Sequence, residues 1–283
     1  SGNFVPAREL LDEVLRRTGI GVVRGPTATL LTLLWHRALL RLGGLGFQPR
    51  AEAQIPAGVL QRIDTANFLS QALALFAPAR AAMLQAWNLR QCLRAGEPMR
   101  IARSLAVEAG FVATQGGSAL RRGEELLARS LQAGAGVDAP RLEAVQEVAR
   151  TIIAFQKGDW AETQTNAERV ADLVRLRCEG AGWLLGTALI YQLTTLSLRG
   201  QFKRVASLLP RRIRTAHDRG DIYTELHLIL SQPIPSSAVA DTPQAGRAAV
   251  RAAWDRWAGL EWGLLELYAL RQLIDLALYE EDY

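Results

Sequence analysis

Apolar residues recur at intervals of three and four positions along most of this chain, the spacing that places them on one face of an α-helix. In the segment 142–155 they are Leu142, Val145, Val148, Ala149, Ile152 and Ile153. Few windows alternate apolar and polar residues, as strands would. With its breakers and caps, the pattern predicts no strands and helices near 7–17, 27–43, 57–76, 79–95, 99–115, 118–133, 140–157, 160–177, 181–199, 201–218, 221–231, 243–258 and 262–280.

Three glycines divide these helices at a fixed period. Gly116, Gly158 and Gly200 are 42 residues apart, and each lies between two amphipathic stretches. A glycine there can adopt the left-handed conformation that ends one helix, and Ser118 or Asp159 can cap the next. One more step reaches position 242, where the sequence Asp-Thr-Pro over 241–243 keeps the register without a glycine.

A second glycine series marks the joints between helix pairs: Gly96, Gly136, Gly180, Gly220 and Gly259, at intervals of 40, 44, 40 and 39 residues. This period exceeds the 34 residues of an ordinary tetratricopeptide repeat, so each helix pair should be about two turns longer. We therefore predict an all-α, tetratricopeptide-like α-solenoid of antiparallel helix pairs, with about 13 helices and a period of about 41–42 residues.

The repeat also predicts how the chain is organised. Residues 1–97 would be N-terminal helices that form irregular or capping repeats, and 98–283 would be tandem helix pairs in one continuous elongated unit. The next 42-residue step falls just beyond Tyr283, so we expect the array to be truncated in mid-repeat. Such an end would expose Leu273, Leu276 and Leu278 and would make self-association possible.

Composition narrows the class of protein. The formal net charge is +5, from 33 Lys and Arg against 28 Asp and Glu, of which only Lys157 and Lys203 are lysines. The arginines are interleaved with acidic residues, so nucleic-acid binding is not expected. No apolar run is long enough to span a bilayer and no signal peptide is evident, which predicts a cytoplasmic protein without membrane insertion. Cys92 and Cys178 are too far apart for a disulfide framework or a CxxC site.

Motifs that carry chemistry are missing. Neither lysine belongs to a phosphate-binding GxxxxGK[ST] loop, and His36, His217 and His227 occur singly, without the spacing of a zinc site. Ser118 lacks the GxSxG context of a nucleophile elbow. The sequence therefore predicts no catalytic residue, no cofactor and no metal, and an interaction module rather than an enzyme.

Several short sequence runs, in this order, resemble one protein family. They are Arg37–Phe47 (RALLRLGGLGF), Ile55-Pro56, Arg62–Asp64, Leu93–Pro98 (LRAGEP), Arg100–Ala109 (RIARSLAVEA), Arg177–Trp183 (RCEGAGW) with Thr187-Ala188, and Arg219–Tyr223 (RGDIY). Together they resemble the C-terminal tetratricopeptide-like region of large bacterial serine/threonine protein kinases, over about residues 7–280.

Proteins of that family carry an N-terminal kinase domain, often an ATPase module of the signal-transduction type, and then helical repeats. The resemblance implies a regulatory, protein-interaction module of a signalling kinase, whose partners would be a protein or peptide or its own kinase and ATPase domains. The kinase motifs themselves are missing here, so phosphoryl transfer is not carried over to this segment. In the family the residue after the tryptophan is typically glutamate, whereas here it is Leu184.

The first helix of each pair usually lines the groove of such an array. Thr187, Tyr191 and Thr195 form a stripe at four-residue steps, and the equivalent positions on other first helices are Gln146, Arg150, Tyr223 and His227. We predict that these seven residues form a partner-binding groove. One alternative is that Tyr191 packs against its neighbours with its hydroxyl at the rim. The alternative function is a small-molecule sensor with a pocket between helix pairs.

Overall fold

The computed structural model describes residues 13–21, 23, 25–74, 77–178, 180–232, 236–257 and 264–280, and within them it contains helices and no strand. The α-helices are α1 (Pro26–Leu42), α2 (Ala57–Leu73), α3 (Pro78–Ala95), α4 (Pro98–Ala113), α5 (Ala119–Ala133), α6 (Pro140–Lys157), α7 (Trp160–Arg177), α8 (Gly182–Leu198), α9 (Phe202–Asp218), α10 (Ile222–Leu230), α11 (Ser236–Val239), α12 (Pro243–Trp257) and α13 (Leu264–Tyr279). Residues 13–17 are also helical, and Glu52–Gln54 form a 3-10 turn. The predicted all-α class is confirmed.

Proline and acidic side chains set where several helices begin. Pro26, Pro78, Pro98 and Pro140 each occupy the first turn, where a missing N–H leaves no hydrogen bond unmade. Glu97 caps α4 by accepting from the backbone N–H groups of Met99 and Arg100, at 2.9 and 2.7 Å. These caps explain why the predicted helix starts agree with the observed ones to within two residues.

The period of 42 residues reappears as a repeated hydrogen-bond pattern at helix ends. At Gly158 (φ 77°) the N–H of Asp159 bonds the carbonyl of Ala154 at 3.0 Å, closing the left-handed turn. The same bond joins Gln201 to Leu196 after Gly200, at 2.9 Å. The predicted left-handed glycines are thus confirmed at both turns.

Two details of the turns differ from the sequence expectation or extend it. Asp159 caps α7 by accepting from the N–H of Glu162 at 2.9 Å, as predicted, but the Ser118 side chain makes no cap bond to α5. The backbone at Ser118 is already helical (φ −65°, ψ −19°), whereas a residue that caps a helix with its side chain usually has a non-helical backbone. At the fourth turn Asp241 takes φ 54°, so an aspartate adopts the left-handed conformation that glycine supplies elsewhere.

The helices pack as antiparallel pairs that stack on one another. Helices α4, α6, α8, α10 and α13 are called the first helices, and α5, α7, α9 and α12 the second helices. Each first helix packs against the second helix that follows it and also against the next first helix, α4 on α6, α6 on α8, α8 on α10 and α10 on α13. This is the nearest-neighbour packing of a solenoid, and the predicted repeat architecture is confirmed.

The core follows the same pattern. One buried apolar cluster runs from the N-terminal helices through α3 and α4 to Ile153 on α6, and others join α6 to α8, α8 to α10, and α10 to α13. Each cluster is built by neighbouring repeats only. The helices before residue 98 therefore share a core with the first regular pair.

Ion pairs fasten the N-terminal helices to α4. Asp64 on α2 accepts from Arg100 and Arg103 on α4 at 2.9 and 2.5 Å. Arg37 on α1 donates to Glu108, a fully buried residue of α4, at 3.1 Å. Several of the sequence runs that resemble the kinase-associated region contain these residues. Their contacts show that in this chain they hold three helices together.

The end of the described array exposes a different apolar set from the one predicted. Leu276 is fully buried, because it packs against Gly246 of α12, and Leu273 is half-buried. Leu278 is exposed as expected. The exposed stripe of α13 consists of Leu267, Leu270, Ile274 and Leu278. The sequence predicted this helix correctly but wrongly placed Leu276 among its exposed residues.

Candidate partner-binding surface

All seven residues of the predicted groove lie on first helices that contact one another in sequence. Gln146 and Arg150 are on α6, the threonines and Tyr191 are on α8, and Tyr223 and His227 are on α10. Arg150, Thr187, Tyr191 and Tyr223 are partly exposed, whereas Gln146, Thr195 and His227 are buried. The partly exposed residues are therefore the ones that a partner could reach without opening the helix packing.

Gln146 belongs to a buried polar relay. Its Nε2 donates to the hydroxyl of Ser130 at 3.0 Å, and that hydroxyl donates to the carbonyl of Ala102 at 2.6 Å. The relay links α6, α5 and α4. Gln146 thus satisfies polar groups between three helices, a structural role.

Arg150 is held by a carboxylate on its own helix. Its guanidinium lies 3.4 Å from Glu147, which Arg169 of α7 approaches at 3.8 Å. Burial raises the pKa of Glu147, and the two guanidinium groups oppose that shift. Two thirds of the Arg150 side chain is covered, so only part of it is accessible to a partner.

The polar stripe of α8 is directed largely into the protein. The hydroxyl of Thr187 donates to the carbonyl of Trp183 at 2.9 Å, and Thr195 is fully buried. Leu184 is also fully buried. A carboxylate would be poorly accommodated at this position.

Tyr191 packs edge-on against an aromatic neighbour. Its ring centroid lies 5.0 Å from that of Phe155 on α6, at an interplanar angle of 73°. Phe155 in turn contacts Trp160, at the start of α7, with a centroid distance of 5.4 Å. This T-shaped geometry is favourable for aromatic pairs. It fixes the ring of Tyr191 while its side chain stays partly exposed.

A second group of aromatic side chains lies on α10 and α13. The ring of His227 lies 6.0 Å from Tyr223 and 5.5 Å from Tyr268, and the guanidinium of Arg271 lies 5.8 Å from the centre of the Tyr268 ring. Burial lowers the pKa of His227 to about 3. The imidazole is therefore neutral at physiological pH and acts as an aromatic spacer between two tyrosines.

The helices that carry the two aromatic groups pack on one another, α8 on α10 and α10 on α13. Burial raises the pKa of Tyr191, Tyr223 and Tyr268, and the charge of Tyr268 would add to the shift of the other two. We call Phe155, Tyr191, Tyr223, His227 and Tyr268 the aromatic row. It crosses four consecutive first helices, from α6 to α13.

An open recess of about 540 Å³ lies at one end of the aromatic row. It is lined by Lys157, Gly158, Asp159, Trp160, Ala161 and Arg199, at the turn between α6 and α7 and the end of α8. Lys157 is also paired with Glu124 of α5. The recess combines the indole of Trp160 with side chains of both charges, Asp159 on one hand and Lys157 and Arg199 on the other. Of these cations, Arg199 is the one that could pair with a carboxylate of a ligand.

Among the described residues, the acidic side chains, Cys92 and His36 give no indication of a reactive or metal-binding site. In the part of the chain that the structure describes, no three His, Cys, Asp or Glu residues come close enough to hold a metal ion. Burial raises the pKa of Cys92 to about 12, so its thiol stays protonated. Burial, with Arg90 and Arg94 nearby, lowers the pKa of His36 to about 4. Among the described helices, none is both long enough and apolar enough to cross a bilayer.

Comparison with known proteins adds no relative: no family model, curated protein or solved structure matches this chain. The resemblance to the kinase-associated region therefore stays a prediction.

Sequence reasoning missed the other members of this surface, Phe155, Trp160, Tyr268 and Arg271. Phe155 is the last aromatic residue before the turn at Gly158, and Trp160 directly follows the cap Asp159. A search for aromatic residues beside the periodic turns would have found both. Tyr268 carries no such mark, because only the packing of α10 on α13 brings it to His227.

Proposed function

We propose that this chain is a non-catalytic protein-interaction module that binds a peptide segment of a partner along its first helices. The observation that carries the proposal is the aromatic row, whose members Phe155, Tyr191, Tyr223 and Tyr268 are all partly exposed on successive helices. Solenoids use such stacked first helices as extended binding surfaces. Aromatic side chains are enriched among residues that dominate binding energy.

The chemistry around the row suggests what the peptide contains. Arg271 lies beside Tyr268, and the recess with Arg199 and Lys157 lies beyond Phe155. Rigid, half-buried rings offer apolar contact at a low entropic cost, and the guanidinium groups of Arg271 and Arg199 at the two ends could pair with carboxylates. A peptide with central apolar residues and flanking acidic residues fits this arrangement.

We further propose that the module serves a signalling serine/threonine kinase of bacterial type in the cytoplasm, recruiting substrates to it or contacting its kinase or ATPase domain. The support is the order of short sequence runs that resemble the helical region of such kinases, together with the helix-pair architecture. A small-molecule sensor is the second candidate, and the recess at Trp160 is the feature in its favour. A metabolite that binds there should raise the melting temperature.

The test is a selection of displayed peptides on the full 283-residue chain, followed by affinity measurements on variants. The variants are Tyr191→Ala and Tyr268→Ala, and the matched control is Tyr279→Ala, an exposed tyrosine of α13 outside the row. We expect each row variant to weaken the selected peptides at least tenfold, which corresponds to about 1.4 kcal/mol. The control should bind as the unaltered chain does.

The proposal fails if no peptide is enriched, or if Tyr279→Ala weakens binding as much as the row variants. Circular dichroism and thermal melting must show that each variant is folded. Because Tyr191 packs on Phe155, Tyr191→Phe provides a milder variant that keeps the ring contact and should keep most of the affinity.

A further inference from the structure

Nearly all of the net charge of the chain is concentrated around one second helix, α9. Residues 199–219 contain seven Lys or Arg and one Asp, a net charge of +6, whereas the whole chain carries +5. The remainder of the chain is therefore close to neutral. The sequence expectation that basic residues are evenly interleaved with acidic ones holds elsewhere but not here.

The cations of this segment have no counterion among the residues that the structure describes. Across the described residues, none of the seven takes part in an ion pair, although arginines elsewhere, such as Arg100, Arg177 and Arg256, each pair with a carboxylate. Arg204 only donates to the side-chain oxygen of Gln201, at 3.0 Å. Like charges held together without partners repel one another. An arrangement of this kind gains stability when an external anion neutralises it.

The geometry of α9 gathers these charges into a stripe. Lys203, Arg204, Arg211 and Arg214 are exposed, and at 100° per residue they fall within about 100° of arc and about 16 Å of helix length. The opposite side of α9 is buried in the core through Val205, Leu209 and Ala216.

Further cations and apolar side chains lie near α9. Burial, together with the charges of Arg175 near the end of α7 and of Arg211, lowers the pKa of Arg212. Leu176 follows Arg175 with 81% of its surface exposed, and Leu198 precedes Arg199 with 47% exposed. Exposed apolar side chains are therefore found next to these arginines in the sequence.

We propose that the stripe of Lys203, Arg204, Arg211 and Arg214 binds an acidic segment of a partner protein that also carries apolar residues. Guanidinium groups form bidentate bonds with carboxylates, and the exposed leucines match apolar residues between them. An extended segment advances about 3.3 Å per residue, so about five or six residues, such as two Glu-Glu-Leu units, cover the stripe.

Two other polyanions fit the surface less well. Of the two rings on α9, Phe202 is half-buried, and the exposed imidazole of His217 is held 3.3 Å from the carboxylate of Glu225. The helix thus offers no unengaged ring for the base stacking on which single-stranded nucleic acids depend. The apolar side of α9 is packed in the core, so the helix has no free apolar face to insert into a lipid interface. This surface lies on the second helices and does not depend on what the aromatic row binds.

The test measures fluorescence anisotropy of a labelled peptide of repeated Glu-Glu-Leu units with the full chain, beside a peptide of Gln-Gln-Leu units. The variant is the double charge reversal Arg211→Glu with Arg214→Glu. The matched control is Arg121→Glu with Arg129→Glu on α5, two exposed arginines on another second helix. Both pairs change the net charge equally, so overall charge effects cancel in the comparison.

We expect the acidic peptide to bind, to weaken at higher salt, and to lose at least tenfold in affinity in the α9 variant but less than twofold in the α5 variant. The Gln-Gln-Leu peptide should not bind. The proposal is overturned if both variants weaken binding equally, or if the acidic peptide does not bind. It is also overturned if duplex DNA or phosphatidylserine vesicles bind more tightly than the peptide with the same sensitivity to the α9 variant. If the α9 variant loses affinity for the acidic peptide but still binds the peptides that depend on Tyr191, this surface and the aromatic row act separately.

Discussion

The buried carboxyl group of Glu108 should make the stability of this protein fall as pH rises. Glu108 is 2% exposed and meets Arg37 at 3.1 Å, and no described residue donates a hydrogen bond to its second carboxylate oxygen. Burial raises its pKa from 4.5 to about 7, opposed by the charge and hydrogen bond of Arg37. Between these two values the folded protein keeps a proton that the unfolded chain has lost, so the folded state is disfavoured as pH rises through this range.

The magnitude follows from the two pKa values. Relative to a side chain that does not ionise, Glu108 destabilises the folded state by about 1 kcal/mol at pH 5 and by about 3 kcal/mol at pH 8. The variant Glu108→Gln has no such pH dependence. Its free energy of unfolding, compared with that of the unaltered protein, should therefore rise by about 2 to 3 kcal/mol between these two pH values.

Urea denaturation at a series of pH values measures this difference. The variant also removes the carboxylate that pairs with Arg37. This loss changes the free energy of unfolding by the same amount at every pH, because the guanidinium stays charged. Glu168→Gln, an exposed change on α7, is the control and should show no such trend. A difference that stays constant with pH, or that shrinks toward pH 8, would refute the reasoning, since it would mean that Arg37 keeps Glu108 ionised.

Two further predictions concern histidine and glycine. Burial lowers the pKa of His227 to about 3. Below pH 6.5 the imidazole is therefore protonated in the unfolded chain but not in the folded protein, and stability should fall as the pH is lowered. His227→Phe should abolish about 3 kcal/mol of the stability that the unaltered protein loses between pH 7 and pH 4. Urea curves at both values check this, and an unchanged acid sensitivity contradicts it. Gly158→Ala should lower stability by about 1 to 2 kcal/mol, because φ is 77° and only backbone strain is at stake. Gly58→Ala, inside α2, adds the same methyl group and should be neutral or stabilising. Equal melting temperatures for the two variants would contradict the left-handed backbone of Gly158.

The fold was predictable because its rules are local. Glycine at 158 and 200, proline at helix starts and aspartate caps fix where each helix begins and ends, and they act through bonds within a few residues. In helices such as α9, the sequence also predicts which face is buried, because the apolar stripe of Val205, Leu209 and Ala216 is narrow.

The candidate surface was harder to predict, because α8 is apolar around most of its circumference and packs on neighbours on several sides. Its weak periodicity could not show that Thr195 is buried while Tyr191 keeps partial exposure. The meeting of His227 with Tyr268 depends on the packing of α10 against α13, a contact between residues 41 positions apart. Nothing in the local pattern specifies such a contact.

Site-specific photocrosslinking tests the central claim, binding along the first helices, most directly. Benzoylphenylalanine replaces Tyr191 in one variant and Tyr279 in another, and each is irradiated with a peptide selected on the unaltered chain. The account predicts a peptide adduct at position 191 that excess unlabelled peptide suppresses, and little adduct at position 279. Equal adduct at both positions, or adduct at 279 alone, would contradict binding at the aromatic row.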